Sequence, residues 1–256
     1  MGAMKGVILS RNPSARIIDI THDIPPQDIG AAAFNLLACY QNFPAGTIHV
    51  AVVDPGVGSD RRALLVEAAQ QFFVGPDNGL FSWICEREGE FSARQLTNEK
   101  FFRRPVSATF HGRDIFAPVA AALSLGVAPE VFGEPLPEIL QADSLKPKVI
   151  DENTIAGRII HIDRFGNCAT NVMPADLSAK RVSSSWTITL NGRKINSFRR
   201  FFSAGEIGEL FCLKGSAGFL ELSARNASAA QILGAQPGAP LLFISAPLGE
   251  IKAASN

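Results

Sequence analysis

The sequence predicts an N-terminal α/β sandwich domain with a largely parallel sheet, followed by a small C-terminal β-barrel domain. Three observations carry that expectation. In roughly the first half, apolar runs suited to strands covered on both faces alternate with segments of helical spacing. A proline-punctuated stretch from Gly133 to Lys148 then reads as a linker. Beyond it the pattern is nearly all strand. The chain has 256 residues, enough for two such cores, with residues 1–140 expected in the first and 141–256 in the second.

The strand-like runs of the first part are Val7–Ser10, Arg16–Ile20, Thr47–Asp54, Ala63–Glu67 and Phe72–Gly75. Between them Ile29, Ala33, Leu36, Leu37 and Tyr40 recur at helical spacing, after Pro26 and ahead of Phe43-Pro44. Asn78–Arg87 reads as a second helix. Arg113–Leu125 reads as a third, with Phe116, Val119, Ala120 and Leu123 on one face and Gly126 as its stop. In the second part the strand runs are Thr154–Ile162, Trp186–Leu190, Glu209–Lys214, Gly218–Arg225 and Pro240–Ser245. Asn191-Gly192 is a hairpin turn signal, because both residues tolerate the positive φ that a tight hairpin needs.

Composition narrows the function. Lysine plus arginine (24) balances aspartate plus glutamate (24), so there is no electrostatic footprint for nucleic acid. Cys39, Cys85, Cys168 and Cys212 lie far apart, which argues against a disulfide framework or zinc site and suits a reducing cytoplasm. No apolar run reaches the ~18 residues a membrane span needs, and no signal peptide is read at the start. A cytoplasmic enzyme without metal or other cofactor is the expectation.

Polar segments at expected strand ends are the candidates for chemistry. Val52-Val53 runs straight into Asp54-Pro55-Gly56-Val57-Gly58, where two glycines let backbone approach a ligand. A tight turn capped by Asp54 is the structural alternative. Gly75-Pro76-Asp77-Asn78-Gly79 follows the next strand, and a helix N-cap by Asp77 or Asn78 explains it better than a direct ligand role. Thr109-Phe110-His111-Gly112-Arg113-Asp114 packs an imidazole, guanidinium and carboxylate together, which is costly unless they serve each other or a ligand. In the second part, Asp163-Arg164-Phe165-Gly166-Asn167 brackets an aromatic ring with a carboxylate and an amide. Such a set could stack a base and bond its edge, or simply form a polar turn. His49 and His161 sit inside apolar strands and read as satisfied core histidines.

These segments, taken in order with Thr21-His22-Asp23-Ile24-Pro25-Pro26, Phe43-Pro44-Ala45-Gly46-Thr47, Ala204-Gly205-Glu206-Ile207-Gly208 and Ser216–Glu221, closely resemble the S-adenosyl-L-methionine (SAM) hydroxide adenosyltransferases. These SAM hydrolases are relatives of fluorinase and chlorinase. The resemblance runs nearly end to end and implies cleavage of SAM to adenosine and L-methionine by water or hydroxide attack at ribose C5′. It implies a homotrimer, with sites between one subunit's α/β domain and its neighbour's β domain. The family's catalytic set falls on Asp54, Arg61 and His111, with the base left open between Asp54 and His111. Its SAM contacts fall on Asp163, Phe165, Asn167, Phe201, Ser216, Glu221 and the backbone near Ala224.

The sulfonium leaves as a neutral thioether, so the enzyme must supply an in-line nucleophile in a dry, oriented pocket rather than a general acid. Two departures from the family pattern bear on activity. Where halogenating relatives hold halide, this chain has Asp54, Val57 and Gly112, so halogenation is the less favoured alternative. Family members also open with a strand and an Asp-Phe-Gly-type segment that holds the ribose hydroxyls. This chain opens at Met1–Gly6, so that strand and carboxylate are expected to be missing and the sheet to show an open edge. Binding of SAM or adenosine without turnover is the corresponding alternative.

Overall fold

A computed structural model describes residues 2–178 and 186–245. The chain divides into two compact units, Met1–Ser144 and Leu145–Asn256.

The first unit begins with α1 (Gly2–Arg11) and α2 (Ile29–Cys39), the latter capped by Asp28, whose carboxylate accepts from the Ala31 amide. Strand β1 (Ile48–Val50) follows, then β2 (Ala63–Ala68), β3 (Gln71–Pro76), α3 (Ser82–Glu88) and β4 (Ser92–Gln95). A π-turn (Gly112–Phe116) runs directly into α4 (Ala117–Ser124), and β5 (Pro135–Leu136) ends the unit's sheet. The strand order is β1-β3-β2-β4-β5.

This sheet is mixed rather than largely parallel. Only β1 and β3 run parallel, and the other three pairings are antiparallel. The cause is the connection between β2 and β3. Ala69 and Gln70, with φ of 52° and 57°, make a two-residue turn, and such a turn can join only antiparallel neighbours. Neither residue is glycine or asparagine, so the sequence carries no hairpin signal there. The apolar runs are real, since β2 and β3 are buried on both faces, but two-sided cover does not require parallel pairing.

Two strand expectations fail. Val7–Ser10 lies within α1, which packs on α4 and is pinned at its end by Arg11 Nη1 to the Phe101 carbonyl (2.6 Å) and Asn12 Nδ2 to Ser124 Oγ (3.0 Å). A short apolar run fits either element by periodicity alone. Arg16–Ile20 joins no strand ladder, and Ile18 and Ile20 are exposed. β1 is an edge strand, bonded to β3 on one side only. Its core partners are in place: Leu65 and Val74 from the sheet pack with Phe116, Val119 and Phe132.

The second unit is built from antiparallel strands. They are β6 (Lys148–Val149), β7 (Thr154–Ile162), β8 (Cys168–Thr170), β9 (Trp186–Leu190), β10 (Arg193–Ile195), β11 (Leu210–Lys214), β12 (Leu220–Ala224) and β13 (Pro240–Ser245). Two short helices, α5 (Pro174–Ser178) and α6 (Ala229–Leu233), interrupt them. The order is β10-β9-β13-β7-β8-β12-β11, with β6 on β7. Just past β10 the chain pairs back onto β11: Cys212 donates to the Ser197 carbonyl and Arg199 to the Cys212 carbonyl, each at 2.8 Å. That return makes the sheet barrel-like. Asn191 and Gly192 form the expected turn, with φ of 49° and 77°. Ile155, Ile159, Ile188, Leu222 and Phe243 fill the interior.

Candidate active site

In the first unit, three side chains from distant positions meet at the carboxyl end of β1. The Ala51 amide makes one last parallel bond to the Val74 carbonyl (3.1 Å), and the chain then leaves the sheet towards Asp54. Asn78 holds that exit through Nδ2 to the Val53 carbonyl (2.8 Å), and the Asp54–Ser59 loop is closed by Val57 N to Asp54 O and Ser59 N to Gly56 O. Gly58, at φ 81°, is required twice over. Its backbone is left-handed, and a Cβ there would run into the Ala108 carbonyl oxygen of the segment leading to His111.

Arg61 links the three groups. Its Nη2 donates to Asp54 Oδ2 and to His111 Nδ1 (3.0 Å), its Nη1 donates to the Arg62 carbonyl (2.9 Å), and its guanidinium lies 5.5 Å from the Phe116 ring centre. The side chains of Asp54 and Arg61 are only 5% and 7% exposed, so the pair is shielded from water and held by more than its mutual attraction. A guanidinium has no acceptor. His111 must therefore present a lone pair at Nδ1 and carry its proton on Nε2. Burial, and then the Arg61 charge, push the His111 pKa below the ordinary imidazole value, while Asp54 and Asp114 pull the other way. The second carboxylate oxygen, Asp54 Oδ1, is buried and has no hydrogen-bond partner among the described residues. A buried acceptor left bare is costly and marks where a donor is wanted.

Asp77 and Asn78 are not helix caps. Asp77 accepts from Arg62 Nε (2.6 Å) and the Leu140 amide (2.8 Å), which fastens the 138–142 segment to the sheet. Asn78 Oδ1 takes the Leu80 amide in a local turn, and α3 begins later with Phe81 at its N-cap position.

In the second unit, the loop after β7 is organised by one carboxylate. Asp163 Oδ1 accepts the Phe165 and Asn167 amides, each at 2.9 Å, and Oδ2 accepts Asn167 Nδ2 at 2.8 Å. With its amine turned inward, Asn167 has its amide oxygen left to accept. Gly166 (φ 84°) lies against Ser228, the N-cap of α6, where a Cβ would collide with the hydroxyl. Phe165 is 64% exposed, with the Arg164 guanidinium 4.8 Å from its ring centre. Asp163, Phe165, Asn167 and Ala224 line one open cavity of about 770 Å³, shared with Phe202, Ser203, Arg225, Asn226 and Ala227. That volume suits a nucleoside-sized ligand.

Of the other expected contacts, Phe201 is exposed and precedes the lining residue Phe202, while Ser216 is an exposed turn residue after β11. Glu221 sits in β12 with its carboxylate against Gly215, and burial together with Asp163 raises its pKa. Neither Phe201, Ser216 nor Glu221 lines the cavity. Sequence reasoning missed Phe202, Arg225 and Asn226. A signal existed for Asn226, which follows a strand end and adopts φ 54°, a conformation asparagine tolerates better than most residues.

Family models match both parts of the chain. The family model for the SAM hydroxide adenosyltransferase N-terminal domain matches residues 1–133, and that for the C-terminal domain matches residues 157–242. The chain belongs to the SAM hydroxide adenosyltransferase family. It is 36% identical to an (R)-S-adenosyl-L-methionine hydrolase of Methanocaldococcus jannaschii over 245 residues, covering 91% of this chain and 86% of that protein. A protein of the same name from Thermus thermophilus is 34% identical over 255 residues, covering 95% and 94%. A fluorinase of Actinoplanes sp. is 28% identical, covering 88% and 85%. Among solved structures, an uncharacterized conserved protein of Thermotoga maritima matches with a TM-score of 0.86 and 36% identity, covering 95% of this chain and 94% of that one. No described helix is long and apolar enough to cross a membrane. No group of three potential metal-ligating His, Cys, Asp or Glu occurs among the described residues.

Proposed function

We propose that this SAM hydroxide adenosyltransferase hydrolyses S-adenosyl-L-methionine to adenosine and L-methionine, with Asp54, Arg61 and His111 handling the attacking water. The carrying observation is the bare, buried Oδ1 of Asp54 at one end of the Asp54–Arg61–His111 chain. Water bonds C5′ as the C5′–sulfur bond breaks, the sulfur keeps the electron pair as neutral methionine, and one proton must be removed. His111 Nδ1 is engaged by Arg61 and Nε2 already carries a proton, so Asp54 Oδ1 is the group with an open lone pair. Asp54 is thus the base, His111 donates from Nε2 to orient the water oxygen, and Arg61 holds both. General-base help of this kind is worth about 10²–10⁴-fold.

Asp163, Phe165, Asn167 and the backbone near Ala224 take the nucleoside, with the adenine on the open face of Phe165 and its amine at the Asn167 oxygen. Phe201, Ser216 and Glu221 are assigned to the rest of SAM, and no metal or other cofactor is invoked. The preferred substrate is the (R)-sulfonium diastereomer, a reading supported by the names of the archaeal and Thermus relatives. Halogenation is disfavoured because a carboxylate, Asp54, stands where an anion would have to sit. The working form is a cytoplasmic homotrimer in which one subunit's α/β unit meets a neighbour's β unit. The unpaired cysteines, three of them buried, favour that compartment.

The test is incubation with each SAM diastereomer in ¹⁸O-labelled water, with products followed by chromatography and mass spectrometry. Adenosine carrying ¹⁸O at its 5′ oxygen, formed faster from the (R) form, is expected. Tight SAM binding without adenosine would overturn the proposal.

A further inference from the structure

Asp114 lies three residues beyond His111, inside the π-turn, and its side chain is fully buried. It does not bond Arg61 or His111. Its carboxylate instead collects donors from three places: Arg113 Nε (2.6 Å) and Nη2 (2.7 Å), Arg103 Nη1 (3.2 Å), and the Ser107 backbone amide (2.9 Å). The Arg103 amide also donates to the Asp114 carbonyl at 2.8 Å. Arg113 in turn lies 4.9 Å from the ring centre of Phe110, the residue just before His111. One carboxylate therefore ties Arg103 and Ser107 to the turn that follows His111, and Arg113, which it holds, reaches Phe110 at the far end of the 103–110 segment. The same segment carries Ala108, whose carbonyl abuts Gly58 of the Asp54 loop.

We propose that Asp114 is a positioning residue for the water-handling site, locking the 103–110 segment onto the π-turn so that His111 Nδ1 meets Arg61. The proposal rests on the hydrolase reading, but its geometry is testable without substrate. Loss of the carboxylate releases Ser107, Arg103 and Arg113 together, and a misplacement of about 1 Å at a catalytic group costs on the order of 100-fold in rate. The isosteric amide of Asp114→Asn cannot take the bidentate Arg113 fork.

The experiment pairs kinetics with ¹⁵N–¹H correlation NMR of the histidine side chains, with His111 assigned by comparison with His111→Gln. In the unaltered protein His111 is expected as a single Nε2–H tautomer. In Asp114→Asn that signature is expected to give way to mixed tautomers, with kcat down about 100-fold and KM within threefold. Arg113→Ala leaves the carboxylate in place and should move both readouts the same way, about 10-fold in kcat. It decides the matter if Asp114→Asn does not fold. Unchanged kcat in the folded variants, or a kcat loss with the single tautomer retained, overturns the proposal. The NMR arm needs no SAM, so its failure is separate from failure of the hydrolase reading.

Discussion

At the scale of single residues, the site depends on which lone pairs remain open. Arg61 occupies Asp54 Oδ2 and His111 Nδ1, leaving Asp54 Oδ1 bare and Nε2–H as the imidazole donor. Asp54→Asn keeps the shape and removes the proposed base, so kcat should fall about 10²–10⁴-fold while SAM affinity by calorimetry stays within threefold. A similar loss of affinity would mean that Asp54 binds rather than reacts. In the proposed mechanism His111 works only while neutral, because protonation of Nδ1 would set a proton against the Arg61 guanidinium. Its pKa is lowered by burial and by Arg61, so activity should be flat through neutrality and decline on acidification through a value below the usual ~6.5. Replacing Arg61 by methionine removes the lowering charge and should move that acid limb to higher pH. A pH–rate profile unchanged in position would remove His111 from the mechanism.

Individual elements show where the sequence was legible and where it was not. The helix of Ile29–Cys39, the Asn191-Gly192 hairpin and the long strands of the second unit follow from periodicity and turn chemistry, which are local properties. The β2–β3 turn, built on Ala69 and Gln70, was not legible because its positive φ values are imposed by strand pairing against local preference. The π-turn was equally hidden: Arg113–Leu125 reads as an ordinary helix, and only the folded chain shows the Ala117 amide reaching back to the Gly112 carbonyl. Gly58 connects the two loops that build the site. Gly58→Ala adds a left-handed alanine and a clash with Ala108, and should cost about 1–3 kcal/mol in a denaturant melt together with a marked loss of kcat. A melt indistinguishable from the parent would show that the two loops can separate freely.

The π-turn has its own pH signature. Arg113, followed by the Ser107 amide and Arg103, holds the Asp114 carboxyl at about 2 against the raising effect of burial. A depressed folded-state pKa contributes stability that is complete above the ordinary value of ~3.9 and is lost as pH falls through about 2. That contribution, about 2 kcal/mol, should appear as acid destabilisation in this window. It should be absent in Asp114→Asn when both proteins are melted across pH 2–6.

For the whole molecule, the resemblance predicts sites shared between subunits, and this has a direct test. Asp54→Asn and Asn167→Ala alter opposite units of the chain, so each alone should be strongly impaired. Mixing the two and allowing subunits to exchange should restore part of the activity if sites are built from two chains, and none if each chain carries a whole site. Light scattering tests the expected trimer in parallel. The sequence marked Asp54 and the Asp163 loop as candidates through their motifs. It could not reveal the cavity's further lining at Phe202, Arg225 and Asn226, which only folding brings beside the Asp163 loop.

The order of strands in the barrel-like unit also dictates the timing of its assembly. β13, the last described strand, inserts between β7 and β9 rather than adding at a rim. On a ribosome, every earlier strand of that unit emerges before the one that joins its two halves. Until Pro240–Ser245 appears, β7 and β9 each present an unpaired edge that other chains can capture. Nascent chains stalled just short of this strand should therefore be protease-sensitive and sticky, and extension by these few residues should seal the unit.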